Sequence, residues 1–211
     1  MPEFGDALQA SSYHHPDGHE TYARLRQNIV QQATAMGYEY ETMFEHPVSW
    51  GDDQDPFKHV TTSSYTRYFV NAGIRFFESF QRSLKDRFKE FMNAEGIGIM
   101  VRNYTADIRR PVKYPDTVIV GIRPIEVLTN RVILTFTMWS LQQQTIVANF
   151  HVIVAFADHR KGRPVDLLKE GGVYKDLHAD LVCRAAKCNK IAAEWEEKTG
   201  AKKKKSRQAQ L

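Results

Sequence analysis

Tyr68, Ala72, Phe76, Phe80, Leu84 and Phe88 stand four residues apart. On a helix that spacing stacks them into one apolar stripe. Tyr65, Phe69 and Phe77 widen the stripe into a broad aromatic face. A helix with so wide an apolar face must be enclosed rather than laid on a flat neighbour. The pattern runs from Ser63 to about Asn93, and Gly96 and Gly98 close it. One helix of that length is long, so Gly73 or the polar patch Gln81–Ser83 is the expected kink or break.

The enclosing layer is legible downstream. IGIMVRNYTADI (97–108), TVIVGIRPIEVL (117–128), RVILTFTMWSL (131–141) and TIVANFHVIVAF (145–156) are rich in β-branched and aromatic residues. The joins at Thr129-Asn130 and Gln142–Gln144 are of hairpin size. The four strands are therefore expected to form an antiparallel meander. Pro124, which has no N–H to give a ladder, marks an edge or a bulge. Phe44–Trp50 is a short strand ahead of the long helix. Amphipathic helices are expected over 20–36, stopped by Gly37, and over 175–198. The sum is an α+β chain in which a curved antiparallel sheet wraps a long central helix, with helical extensions at both ends. That is the layout of the hotdog fold. The expected division is a leader and helix (1–42), a hotdog domain (43–168), a C-terminal helix (169–199) and a disordered basic tail (200–211).

Composition narrows the function. The net charge of +4 comes from the end of the chain, where Lys202, Lys203, Lys204, Lys205 and Arg207 stand without an acid. Without those five, 24 basic residues face 25 acidic ones, a near-neutral body. No basic helix is interleaved with aromatics for base stacking, which argues against nucleic-acid binding. No apolar run approaches ~18 residues, so no membrane span is expected. The first residues lack the apolar core of a secretory signal. Cys183 and Cys188 are five apart and suit neither a disulfide framework nor a zinc site. An intracellular location, cytoplasmic or organellar, is expected. Ala209-Gln210-Leu211 loosely resembles a peroxisomal C-terminal tripeptide. His14, His15 and His19 lack companions at metal-ligand spacing and read as a polar leader; no metal is expected.

The chemistry concentrates in WGDDQDPFKHVTTSSY, residues 50–65. Three aspartates, a proline and a run of hydroxyls precede the central helix. On local pattern alone, Asp55 before a proline is as suited to capping a turn as to catalysis. Asp52 and Asp53 read as solvated turn acids, and Ser63 and Ser64 as helix-capping hydroxyls. Trp50, the Asp53-Gln54-Asp55 triplet, Val60 and Tyr65 resemble the signature of acyl-CoA thioesterases of the 4-hydroxybenzoyl-CoA thioesterase class, whose pattern is D-x-D-x-x-G-x-V before a helix-opening Tyr. NYTADIRRPVKYPDTVIV (103–120) and AFADHRKGRPVDL (155–167) resemble later parts of the same family, in the same order. The resemblance spans residues 43–168. This chain departs from it in three places: Lys58 stands for a glycine, Thr61-Thr62 for an Asn pair or bulky residues, and one extra residue follows Trp50.

The resemblance implies hydrolysis of an acyl-CoA thioester. Asp55 would be the carboxylate, as base or nucleophile, and the backbone amide of Thr62 the oxyanion donor. It places His59 and Tyr65 at the substrate. Arg160, Lys161 and Arg163, in a basic loop after the last strand, are the expected partners of the coenzyme A phosphates, in competition with Arg109 and Arg110. No cofactor is implied, coenzyme A being part of the substrate. A homodimer or higher oligomer is implied, with the site at the seam. The alternative is a catalytically silent hotdog protein, an acyl or coenzyme A binder or a dimeric scaffold. Lys58 and the lost Asn pair favour that alternative, since a side chain at the glycine position is expected to crowd the thioester or alter the turn, whereas the spacing of Asp55 to Tyr65 favours the hydrolase.

Overall fold

The computed structural model describes residues 19–208, with side chains from 22 to 200. The leader histidines, whose side chains fall before residue 22, and Ala209-Gln210-Leu211 lie outside the described residues. Helix α1 (His19–Ala35) is followed by strand β1 (Phe44–Pro47), a single turn α2 (Trp50–Asp53) and the central helix α3 (Thr62–Glu78). Short helices α4 (Gln81–Leu84) and α5 (Phe88–Met92) precede strands β2 (Ile97–Ile108), β3 (Thr117–Leu128), β4 (Arg131–Ser140) and β5 (Thr145–Asp158). A two-residue strand β6 (Arg163–Pro164), α6 (Leu167–Glu170) and the long α7 (Gly172–Gln208) complete the chain. The backbone of α7 runs on through the stretch that was expected as a tail.

The aromatic face of α3 is buried as its spacing requires. Tyr65, Tyr68, Phe69, Ala72, Phe76 and Phe77 all turn inward. Phe69 stacks on Phe150 of β5 at 3.7 Å and meets Phe136 of β4 edge-on at 5.9 Å. Each such ring contributes roughly 1.5–3 kcal/mol by burial. The helix breaks after Glu78, near the polar patch and not at Gly73. Gly73 stays helical, where a Cβ would only touch the Phe136 ring at 3.7 Å. Ser79 turns its hydroxyl back onto Phe76 O at 2.6 Å, and Phe80 folds against Phe76, Phe77 and Phe91.

The sheet order is β1-β3-β4-β5-β2, antiparallel throughout. The meander therefore holds for β3, β4 and β5 only. β2 does not neighbour β3. Residues 109–116 are too long for a tight hairpin and carry the chain across the sheet, so β2 pairs with the far side of β5. The register of β3 shifts between Pro124 and Glu126, the bulge expected of a strand proline. Beyond Val120 no described strand covers the other flank of β3. Helix α7 lies there instead, and Asn189 Nδ2 donates to Ile125 O at 2.8 Å.

The concave face holds α3 against Val118, Val120, Ile122, Leu134, Met138, Val152 and Phe156. α1 covers part of the convex face through Ile29 and Ala33 on Ile119, Trp139 and Leu141. Gly37 ends α1 at φ +87°, and a Cβ there would strike Cys188 O of α7 at 2.4 Å. Arg184 of α7 locks the extensions together. It donates to Glu39 Oε2 at 3.0 Å and Ser79 Oγ at 2.9 Å, and lies over the Phe76 ring at 4.7 Å. The architecture is the α+β hotdog arrangement. Among the described residues, no helix is long and apolar enough to cross a membrane.

Phe69→Ala is expected to cost about 3–5 kcal/mol of stability, the usual penalty for an aromatic cavity. Denaturant unfolding measures it, and a loss under ~1 kcal/mol would mean the sheet closes over the gap.

Candidate functional site

The chain leaves β1 at Pro47 and is anchored at once: Val48 N–H donates to Asp116 O at 2.9 Å. Gln54 and Val60 then form an isolated antiparallel bridge, and the residues between them make a tight turn. Lys58 N–H donates to Asp55 O at 2.9 Å, and Asp55 N–H donates to His59 O at 2.8 Å. Asp55 Oδ1 accepts from Phe57 N–H at 2.9 Å and His59 N–H at 3.0 Å. Asp55 therefore caps its own turn, as an aspartate before proline does. Its Oδ2 accepts no hydrogen bond from any described residue. The carboxylate is thus oriented through one oxygen with the other open.

Lys58 occupies the turn's corner at φ +63°, the left-handed region where glycine is at ease. That explains a glycine in the related pattern and shows how a lysine replaces it. The turn closes and the side chain is exposed to solvent.

The turn runs directly into α3. Thr61 is the N-cap, its Oγ1 accepting from Ser64 N–H at 3.1 Å. The capping hydroxyl thus belongs to Thr61, with Ser63 and Ser64 hydrogen-bonded to it. Thr62 follows as the first helical residue, exposed, and no described residue accepts its N–H. A free amide at the positive end of a helix dipole suits an anionic oxygen.

The three aspartates have three fates. Asp52 is exposed, as expected. Asp53 is not a solvated acid: it is 0% exposed and ion-paired with Arg67 of α3. The pair was not legible because its members lie 14 residues apart, with the whole turn between them. Asp55 is half-buried within the turn it holds.

Tyr65 is buried, and its hydroxyl is occupied in both directions. It donates to Arg110 O at 3.1 Å and accepts from Val112 N–H at 3.1 Å. Burial pushes its pKa up. This phenol pins the 109–116 connection to α3. Val60 N–H to Val112 O at 2.8 Å and Tyr114 N–H to Gln54 Oε1 at 3.3 Å add two more ties. His59 is half-buried, its backbone in the turn and its ring without a hydrogen bond to a described residue. Two exposed aromatics stand at the rim: Trp50, which belongs to the motif, and Phe57, which the motif did not single out. Trp50 is 61% exposed and meets Tyr114 edge-on at 5.5 Å; Phe57 is 78% exposed.

Asp55, His59, Thr62 and Tyr65 thus share one corner, with Arg109 and Arg110 on the adjoining connection. Arg160, Lys161 and Arg163 do not join them in the same chain. The β2–β5 ladder pairs Ile97 with Asp158 at one end and Ile108 with Ala148 at the other. The basic loop follows Asp158, whereas the Asp55 turn adjoins the connection that follows Ile108. The ladder between them spans about 36 Å at ~3.3 Å per residue. In its own chain the loop is held by Lys161 to Asp158 at 3.2 Å and Arg160 to Glu90 at 4.0 Å. Among the described residues, no three His, Cys, Asp or Glu side chains group to hold a metal ion.

A sequence model of the Thioesterase-like superfamily matches residues 48–177. DHNA-CoA thioesterase from Staphylococcus aureus superposes with a TM-score of 0.56 at 13% identity, covering 67% of this chain and 90% of that one. A hypothetical protein from the same organism, in complex with CoA, gives 0.55 at 15% identity over 66% and 82%. A thioesterase from Thermus thermophilus, complexed with coenzyme A and Zn, gives 0.50 at 19% identity over 64% and 95%. At these identities the likeness is one of fold. No curated protein matches by sequence.

Lys58→Gly is expected to stay within about 1 kcal/mol of the parent, relief of strain being offset by a freer unfolded chain. Lys58→Val, β-branched at a positive φ, is expected to lose roughly 1–2 kcal/mol. Urea unfolding measures both, and an unaffected valine variant would remove the strain account.

Proposed function

The chain belongs to the thioesterase-like superfamily, and from that premise we propose that it hydrolyses an acyl-CoA thioester to the free acid and coenzyme A. The observation that carries the reading is the pairing of Asp55 with Thr62. One carboxylate oxygen is fixed by two amides and the other is open. The open N–H of the α3 N-terminus follows a few residues later. Short tethering of this kind holds a base and an oxyanion donor in one geometry.

In this mechanism Asp55 takes a proton from a water that attacks the thioester carbonyl. The Thr62 N–H, at the helix's positive end, stabilises the oxygen as it becomes negative. Collapse breaks the C–S bond, and the proton held by Asp55 passes to the departing thiolate. Direct attack by the carboxylate, through an anhydride that water then opens, uses the same two groups. The acyl group would run along the flank of α3 where Val70 and Ile74 are exposed, beside Tyr104, which stacks on Phe150 at 5.6 Å. A silent binder or scaffold is the alternative; Lys58, exposed at the corner of an intact turn, gives it little support.

The other half of the site would come from a second copy. β2 is the terminal strand of the sheet, twelve residues long, with Met100, Val101, Tyr104 and Ile108 exposed. A long apolar edge of this kind invites a further strand. Two copies of β2 paired antiparallel about a two-fold axis would set the Ile97 end of one beside the Ile108 end of the other. The partner's Arg160, Lys161 and Arg163 would then face the Asp55 corner and meet the coenzyme A phosphates. An intracellular setting fits the two free thiols, Cys183 exposed and Cys188 buried.

Free-thiol release over short, long and aromatic acyl-CoAs is the test. Asp55→Asn should lower kcat by about 10²–10⁴-fold; a variant as fast as the parent would sink the assignment, and no release from any acyl-CoA would favour the silent alternative. Sedimentation should give a dimer, and Val101→Lys with Tyr104→Lys a monomer. A dimer that survives both charges is built on another surface.

A further inference from the structure

The Asp55 turn is closed by its own hydrogen bonds, yet none of them sets where it stands relative to α3. We infer that the Asp53–Arg67 ion pair is a positioning element of this site, holding the base of the turn at a set distance from the helix N-terminus beside the ties that Gln54 and Val60 make to the 109–116 connection. The kinetic side of this inference rests on the thioesterase reading.

Asp53 is tied in four directions. Its carbonyl accepts from Thr61 N–H at 2.7 Å, directly at the N-cap of α3. Its own N–H donates to Ser49 O at 3.3 Å, and Oδ2 accepts from Ser49 N–H at 2.6 Å. Oδ1 meets the Arg67 guanidinium. One residue thus joins the exit of β1, the cap of α3 and the second turn of α3, and the Asp55 turn hangs between the first two. The side chain is wholly buried, whereas that of Arg67 is 46% exposed.

Burying such a charge is a poor route to stability. Apolar replacements of similar volume often stabilise a protein, whereas a buried ion pair imposes direction. Here the direction is along the site's own axis. The far side of Asp53 is closed by the core. Tyr68 lies fully buried beside the carboxylate without a well-formed hydrogen bond, and its ring packs on His46 at 4.4 Å. Burial first, and then the Asp53 carboxylate, push the Tyr68 pKa up, so the phenol stays neutral there. Movement of Asp53 would shift its carbonyl away from Thr61 and change the separation of Asp55 from the Thr62 amide.

The test is Asp53→Asn, which keeps the volume and removes the ion pair. Thiol release should lose about 10- to 100-fold in kcat, the scale of a small misplacement, with KM changed less than about threefold. Amide exchange at His59 and Thr61 should speed up by about tenfold or more, while Phe76 and Val152, in the core, keep their protection. The double variant Asp53→Asn/Arg67→Gln leaves no unpaired charge and should show the same local loss with the fold intact. Arg67→Lys should recover part of both effects relative to Arg67→Gln. Unchanged exchange at His59 and Thr61, or equal acceleration at every amide, overturns the inference. If the parent releases no thiol, the thioesterase reading fails by itself, and the exchange measurement still decides whether the pair holds the turn.

Discussion

Enclosing the aromatic flank of α3 within one curved sheet is the constraint from which the rest of the molecule follows. Phe69 between Phe136 and Phe150 fixes the helix across β4 and β5. The sheet must curl to reach both sides of such a helix, so the strand after α5 is placed at the far edge, beside β5. Residues 109–116 then have to return over the open end of the fold. Tyr65 meets them there with a buried hydroxyl, and the Asp55 turn is bonded to the same segment through Val60 and Gln54. The corner proposed to carry the chemistry is therefore a by-product of how the core is closed, built where a crossing connection passes the helix N-terminus.

Electrostatics at that corner divides three similar residues by environment alone. Asp52 is in water, Asp53 is buried against a half-exposed cation, and Asp55 serves its own turn with one oxygen that no described residue bonds. A fourth acid, Asp116, shows the same logic. It is buried and accepts from Thr117 N–H at 2.7 Å, Gln142 N–H at 3.0 Å and Ser140 Oγ at 2.5 Å, so it welds the end of the crossing segment to the β4–β5 turn. Burial pushes its pKa up despite these donors. An ionised Asp116 therefore opposes folding. Its cost is absent below the ordinary carboxylate range and grows as pH rises through that range.

Patterns that depend on neighbours in sequence were legible, and those that depend on distant partners were not. β2 and β3 begin and end where their β-branched runs do, at 97–108 and 117–128, because a strand's composition and its turn residues are local. The broad face of α3 was readable for the same reason. The partner of β2 was not, since adjacency in sequence suggested β3 and only the reach of 109–116 decides otherwise. The burial of Asp53 was hidden because Arg67 lies beyond the turn. The motif identified Asp55 and Thr62 as a pair; it could not distinguish a carboxylate that caps a turn from one that also keeps an oxygen free.

The same long-range geometry bears on why the proposed site would need a second copy of the chain. A thioester substrate of coenzyme A has a reacting carbonyl and, at a distance, phosphates that need cations. In the proposed function the Asp55 corner would serve the carbonyl at one end of the β2–β5 ladder, and the loop of Arg160, Lys161 and Arg163, at the other end, would serve the phosphates. Bending the sheet cannot bring them together, because the ladder is continuous apart from the bulge at Val101–Asn103. An antiparallel two-fold about β2 exchanges the ends without moving a residue within either chain. The β2 edge, which no described strand pairs on its outer side, is thus the element proposed to complete the site, and it links the aromatic helix to the proposed oligomer.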